Sequence, residues 1–311
     1  MARIILDTDP GIDDALALLL ALASPEVQLE AVTTVSGNVG VELTTANALA
    51  LLTLVERTDI PVARGSSTPL VRQRVDTASV HGHNGMGEVV LPAPQIQPAD
   101  QHAADLIIEK VLQAPGAITL VPIGPLTNIA LAVRREPRIA QLVHEVVIMG
   151  GALRVPGNST PNAEFNIYAD PHAASIVLHA GWPIRLVSLD TTMKVGLDRE
   201  QVGRLTQSGG RVLTTIKDML AYYLDVFAAP RGQAVFHMHD PLCLAAAFQP
   251  DLITWESIYV DVELTGTLTL GETVGYFGDH AVHKPNVQAS IDVDSDRFIR
   301  LFLDRVGQTY S

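Results

Sequence analysis

Two rhythms of apolar residues run along this chain. Short, nearly unbroken apolar runs recur at Arg3–Thr8 (RIILDT), Leu29–Val35 (LEAVTTV), Pro61–Ala63, Ala117–Pro122 (AITLVP), Glu145–Met149 (EVVIM) and Ile184–Leu189 (IRLVSL). Their length and their Val/Ile content are those of strands buried on both faces. Between them lie longer stretches with helical spacing, at Ala15–Ala23, Leu43–Glu56 and Ala103–Leu112, after Gly124-Pro125, and at Pro171–His179. This alternation predicts an α/β protein built on an open, mostly parallel sheet flanked by helices. Past about residue 195 the alternation loosens. Helices are predicted near 211–229 and 240–247, strands near 257–264 and 287–293, and a last helix near 295–306. We read this as a C-terminal elaboration of a single domain over 1–311.

In such a sheet, ligands sit beyond the carboxyl ends of the strands. Polar clusters fall at several of those ends: Asp7/Asp9, Gly37-Asn38, Ile123-Gly124 and Gly150-Gly151. The sharpest is LDTDPGIDDA at 6–15, where Asp7, Asp9, Asp13 and Asp14 crowd around a Pro-Gly turn. Like charges this close repel, and a half-buried site screens them weakly. Solvent, shared protons or a cation must offset the repulsion. Carboxylates and carbonyls suit a hard cation such as Ca²⁺. With no cysteine nearby, zinc is poorly served. Asp13 and Asp14 also stand where a helix start favours acids.

Other clusters allow two readings each. Asp240 in His237-Met238-His239-Asp240 is a helix cap or a ligand, and His239 a structural histidine or an acid. Asn158, Asn162, Glu164 and Asn166 bracket Phe165, as sugar-hydroxyl partners or as a polar turn region. His81 and His83 sit in a Gly-rich loop, HGHNGMG. Tyr222, Tyr223, Phe227 and Arg231 lie on a predicted helix and just past its end, as core or as pocket wall.

Composition narrows the partners. The net charge of −13 argues against a nucleic-acid backbone. One cysteine, Cys243, excludes an internal disulfide and suits a reducing, cytoplasmic setting. The apolar run Ala15–Ala23 is far too short to span a bilayer and is preceded by acids, so no membrane partner is expected.

The motifs together resemble the calcium-dependent nucleoside hydrolases of the inosine/uridine-preferring kind. DTDPGIDDALAL carries the resemblance. TTVSGN at 33–38, VHG at 80–82, LVPIGPLTNIA at 120–130, VVIMGG at 146–151, AEFNIYADP at 163–171, HDP at 239–241 and ELTGTLTLGETV at 263–274 follow in order. The resemblance implies a Rossmann-like fold, a Ca²⁺ cofactor and a small-molecule ribonucleoside substrate. It also implies assembly as a homodimer or homotetramer. By position, Asp9, Asp14, Asp240 and the Ile123 carbonyl match the metal ligands. Asp13, Asn38, Asn158, Glu164 and Asn166 match the ribose-binding groups. Asp9 matches the general base, and His239 the proton donor to the departing base. His81, Phe165, Tyr223, Phe227 and Arg231 fall where the family meets the base or closes over it. The implied reaction is hydrolysis of the N-glycosidic bond, giving ribose and free base.

Four departures touch the base end or the lip of the pocket. His83-Asn84 replaces the family's frequent Glu-Ser, Phe227 replaces a common tyrosine, His237 is an extra imidazole, and one residue is inserted between Met149 and Asn158. Two other readings compete. A strand ending in Asp-x-Asp also opens Mg²⁺-dependent phosphatases of the haloacid-dehalogenase type, but the Thr common there is Gly11 here. A non-catalytic nucleoside- or ribose-binding protein would keep the pocket but has no need of a general base.

Overall fold

The computed structural model describes residues 1–75 and 78–311, with the side chains of 78 and 79 left aside. Nine strands form one sheet in the order β10-β9-β11-β6-β5-β4-β1-β2-β3. They are β1 (Ala2–Thr8), β2 (Val27–Thr34), β3 (Val62–Arg64), β4 (Ile118–Pro122), β5 (Glu145–Met149), β6 (Ile184–Val187), β9 (Ile253–Val262), β10 (Thr273–Tyr276) and β11 (Val287–Val293). β7 (Gly196–Leu197) and β8 (Phe236–His237) pair as a separate antiparallel ribbon.

β1 to β6 and β11 run parallel, while β9 and β10 are antiparallel additions at one edge. β4 and β5 are buried along their whole length, because helices cover both faces. One face carries the helices Ile12–Ala23, Val41–Leu54, His239–Ala246 and Ser295–Thr309. The other carries Ala103–Gln113, Thr127–Arg135 and Pro171–Leu178. The chain winds outward from β1 in one direction, then returns and winds out from β4 in the other. Strand order therefore reverses between β1 and β4, and a crevice opens beyond their carboxyl ends. Asp9 follows β1 and Ile123 follows β4 at that crevice.

Several elements differ from the sequence expectation. The helix predicted over 211–229 is α-helical only over Arg211–Tyr222. It continues as a π-helical stretch, Tyr223–Ala228, and a 3₁₀ turn, Ala229–Arg231. The segment read as a polar loop at 158–166 opens a short helix, Phe165–Ala169, capped by the Glu164 side chain. The strand placed at 257–264 begins four residues earlier, at Ile253, and pairs with β10, a strand that periodicity did not mark. Four residues with a Gly among them carry too little pattern to mark β10.

Asp7 and Asp9 do not share a face in the way strand alternation suggests. Asp9 lies past the end of β1, so the pleat does not govern it. Asp7 stays inside the sheet, where its Oδ1 accepts from Thr33 Oγ1 at 2.6 Å and Asn128 Nδ2 at 2.8 Å. Burial pushes its carboxyl up to about 7, against the pull of those two donors. Asn128 also donates to the Thr34 carbonyl at 3.0 Å and accepts from the Ser66 amide at 2.9 Å. It thereby ties β1, β2 and the chain after β3 together below the crevice. Asn128→Ala is expected to cost about 1–3 kcal/mol, the range for leaving buried polar partners unpaired. Urea unfolding measures this. An unchanged midpoint would show that the tie carries no weight.

Candidate active site

Two helix starts meet at the crevice. Asp13 and Asp14 lie in the first turn of Ile12–Ala23, and Asp240 in the first turn of His239–Ala246, which packs against it. Free amides at both helix starts favour negative charge there. Ligand oxygens of Asp13, Asp14 and Asp240 lie within 4.8 Å of one another. Asp14 is held hardest. It accepts from Thr8 Oγ1 at 2.5 Å, the Asp9 amide at 3.2 Å, the Gly11 amide at 2.9 Å and Asn38 Nδ2 at 3.0 Å.

Asp9 faces them. Its Oδ2 accepts from the Asn38 amide at 2.6 Å, while its Oδ1 is buried without a hydrogen-bond partner. Gly37 and Gly124 make room for this carboxylate. A Cβ on Gly37 would stand 2.0 Å from Oδ2, and one on Gly124 2.4 Å from Oδ1. Burial is the first cause that holds the Asp9 carboxyl well above the usual range, and Asp14 the second. Burial likewise pushes Asp13 up to about 8, with Asp14 next, and raises Asp14 and Asp240. Four carboxyls all pushed up by burial, with one buried Asp9 oxygen that has no hydrogen-bond partner among the described residues, are what a cation would relieve. The donors are carboxylate oxygens, with the Ile123 carbonyl at the same rim, so the cluster fits a hard metal ion.

Above the acids a cavity of about 540 Å³ opens. Asp9, Asp13, Asn38, His81, Ile123, Asn158, Glu164, Phe165, Asn166, Tyr223, Phe227, Arg231, His239 and Asp240 all line it. Asp14 sits behind the wall, turned into the turn it organises. Asn162, Tyr222 and His83 are not on the wall, and His83 is exposed and bonded to Glu88 at 3.0 Å. The acid triplet contains Asp13, which the family resemblance matched to the sugar, and does not include Asp9.

On the floor beside the acids, Asn166 spends both amide hydrogens on main-chain carbonyls. They go to Ile123 at 2.8 Å and Met149 at 3.2 Å, which leaves its Oδ1 for a ligand donor. Glu164 accepts three amides, from Gly151, Asn166 and Ile167 at 2.9–3.1 Å. Burial still raises its carboxyl. Asn158, at the exposed lip, accepts from the Phe165 amide at 2.9 Å.

The opposite end is aromatic. Tyr223 packs edge-on against Phe236 at 4.7 Å and tilted against Phe227 at 5.0 Å. Arg231 stacks on Phe227 at 3.9 Å. Three imidazoles join them. His81 Nδ1 accepts from the Ile12 amide at 3.1 Å, so its neutral ring carries its proton on Nε2. His239 Nδ1 lies 2.7 Å from Thr192 Oγ1, and the His237 ring stands 5.8 Å from that of His239. Burial lowers His81 to about 4 and His239 to about 3, the latter also through His237 and His81.

Sequence reasoning did not single out Thr192, Met193, Tyr168 or Met149. The last three line the cavity. Met149 closes a predicted strand, where an apolar residue reads as core. Thr192 carries no local signal at all, since its partner is 47 residues away.

The acids make a sign-definite pH prediction. Their folded values lie above the unfolded value of about 4. The cation-free fold therefore loses stability as pH rises from about 4 towards the Asp13 value of about 8. A cation displaces those protons, so the rise in Tm on adding Ca²⁺ should grow between pH 5 and pH 8. Scanning calorimetry on chelated and Ca²⁺-loaded protein measures it. A gain flat with pH would show that the acids do not bind the ion.

Comparison with known proteins places this architecture. A family profile described as inosine-uridine preferring nucleoside hydrolase matches residues 4–300. The inosine-uridine preferring nucleoside hydrolase of Crithidia fasciculata is 41% identical over 310 residues, covering 98% of each chain. A pyrimidine-specific ribonucleoside hydrolase of Enterobacter sp. (strain 638) is 40% identical, covering 98% of this chain and 97% of its own. Among solved structures, the purine-preferring ribonucleoside hydrolase from Gardnerella vaginalis superposes with a TM-score of 0.94 at 32% identity, covering 99% of both chains.

Proposed function

Because this chain belongs to the inosine-uridine preferring nucleoside hydrolases and is a ribonucleoside N-glycosidase, we propose that its acid cluster holds Ca²⁺, with Asp9 as general base and His239 as donor to the leaving base. The observation that carries this reading is Asp9 Oδ1. It is a buried carboxylate oxygen with no hydrogen-bond partner among the described residues, on the cavity wall, in a seat that two glycines keep clear. Asp9, Asp14, Asp240 and the Ile123 carbonyl would hold the ion. Once bound, it supplies a more acidic water and a grip on vicinal sugar hydroxyls.

The chain's own groups do the rest. Asp9 accepts a proton from the attacking water as the oxygen bonds to C1′ and the bond from C1′ to the base nitrogen breaks. Asp13, Asn38, Asn158, Glu164 and Asn166 hold the ribose, with the Asn166 Oδ1 and the Glu164 carboxylate accepting from hydroxyls. This fixes C1′ for attack. The carboxylate floor favours the positive charge that builds on the sugar in an oxocarbenium-like transition state. Negative charge builds on the base at the aromatic end. It favours the charged form of His239, which takes up a proton from solvent and then gives its Nε2 proton to the departing base nitrogen, returning to the neutral ring. His81, Phe165, Tyr223, Phe227 and Arg231 surround the base.

The phosphatase reading fares worse, since a floor of carboxylates repels phosphate. The binding-protein reading leaves the cleared seat of Asp9 without a purpose. The relatives' names span inosine-uridine, pyrimidine and purine preference, and we assign the choice of base to the aromatic end, where Phe227 and His237, two departures from the family pattern, line the cavity. The family resemblance supports a homodimer or homotetramer, and the single cysteine supports a cytoplasmic setting.

Asp9→Ala should lower kcat on inosine or uridine by at least ~10²–10⁴-fold, the range for loss of a general base. Steady-state kinetics with saturating Ca²⁺ reads this, and a loss under tenfold would remove Asp9 from that role. His239→Ala should harm inosine far more than p-nitrophenyl riboside, whose leaving group departs without a proton. Equal losses on the two substrates would remove His239 as donor.

A further inference from the structure

Thr192 sits wholly buried at the end of a short helix, Leu189–Thr192, and is not on the cavity wall. Its hydroxyl lies 2.7 Å from His239 Nδ1 and, among the described residues, bonds to nothing else. A hydroxyl has one hydrogen to give, and here the imidazole nitrogen is the acceptor in reach. We propose that Thr192 is a positioning residue for the hydrolysis. To the neutral ring it donates at His239 Nδ1, which leaves the ring's proton on Nε2 and aims that edge into the cavity. Once the ring is charged, the same oxygen accepts from Nδ1–H and holds the same orientation. The inference rests on the reading of His239 as the donor to the leaving base.

The seat is built to hold one orientation. The Thr191 hydroxyl donates to Ser290 Oγ in β11 at 2.8 Å. Asp190 accepts the Leu153 and Arg154 amides at 2.9 Å each, from the chain that leaves β5. The Ser188 hydroxyl donates to Asp190 at 2.9 Å. The turn that carries Thr192 is thus fastened to β11 and to the chain that follows β5, while His239 starts a helix on the opposite side of the contact. An imidazole on χ1 and χ2 alone can swing. One hydrogen bond from a fixed point removes that freedom and chooses the tautomer. No other described side chain touches Nδ1, so the selection falls to Thr192.

The test is leaving-group selectivity. Wild type, Thr192→Val, Thr192→Ser and His239→Ala are assayed on inosine, uridine and p-nitrophenyl riboside at saturating Ca²⁺. Thr192→Val keeps the shape and removes the hydroxyl. It should lower kcat on the nucleosides about tenfold more than on the nitrophenyl riboside, the rate equivalent of one buried hydrogen bond. Thr192→Ser should restore the wild-type ratio. A merely structural role would lower all three substrates together.

A selective loss in His239→Ala without one in Thr192→Val overturns the positioning role alone. Equal losses in His239→Ala overturn the donor reading and this proposal with it. Thr192→Ala supplies the same hydroxyl-free comparison if valine does not fit the seat. Histidine-¹⁵N NMR on the unmutated protein needs no variant. Neutral His239 should appear as the Nε2–H tautomer, and the Nδ1–H form would overturn the assignment.

Discussion

Everything at this site answers to one problem, the convergence of carboxylates in a place with little water. Asp9, Asp13, Asp14 and Asp240 meet because the sheet reverses its winding between β1 and β4 and because two helices start at the same point. The fold softens their repulsion in three ways. Helix-start amides face the acids, Asp14 collects four donors, and Asn38 pins one oxygen of Asp9. What is left over is a demand for positive charge. A metal ion held by the acids would meet it at rest, and in the mechanism proposed above the sugar would meet it for an instant during reaction.

The cavity is therefore polarised end to end. Its floor is rigid, drawn from strand ends and helix caps and tied by amides of Gly151, Asn166 and Ile167. Its far end is aromatic and imidazole-rich, drawn from segments outside the sheet: a short helix ending at His81, the π-helical stretch and the β7–β8 ribbon. Burial pushes the imidazoles there down, as it pushes the carboxyls below up. The two ends make opposite demands, and they are supplied by different parts of the chain.

That division also explains what could be read from sequence. The six parallel strands β1–β6 and the helices between them were legible because most repeat a pattern over enough residues to be recognised. Asp9, Asp13 and Asp14 were legible because the chain places them in one decapeptide with a turn, and Asp240 because it opens an apolar helix beside two histidines. Illegible were features whose cause lies elsewhere in the chain. β10 exists because β9 offers it an edge. The Phe165–Ala169 helix exists because Glu164 caps it. Thr192 matters only once the fold has carried it to His239, and Gly37 and Gly124 look like ordinary turn glycines until Asp9 is seen to occupy their missing side chains.

The π-helical stretch at Tyr223–Ala228 has a consequence for how such a pocket changes over generations. A π-turn is an α-helix that has absorbed one extra residue, and it leaves the flanking register intact. One insertion or deletion here would turn the residues that follow it within the stretch, Phe227 among them, around the helix axis and give the aromatic end of the cavity a different face. Neither the strand ends nor the helix starts beneath need move. A lineage could thus reshape the aromatic end of the cavity by single-residue steps while the acid floor is inherited unaltered.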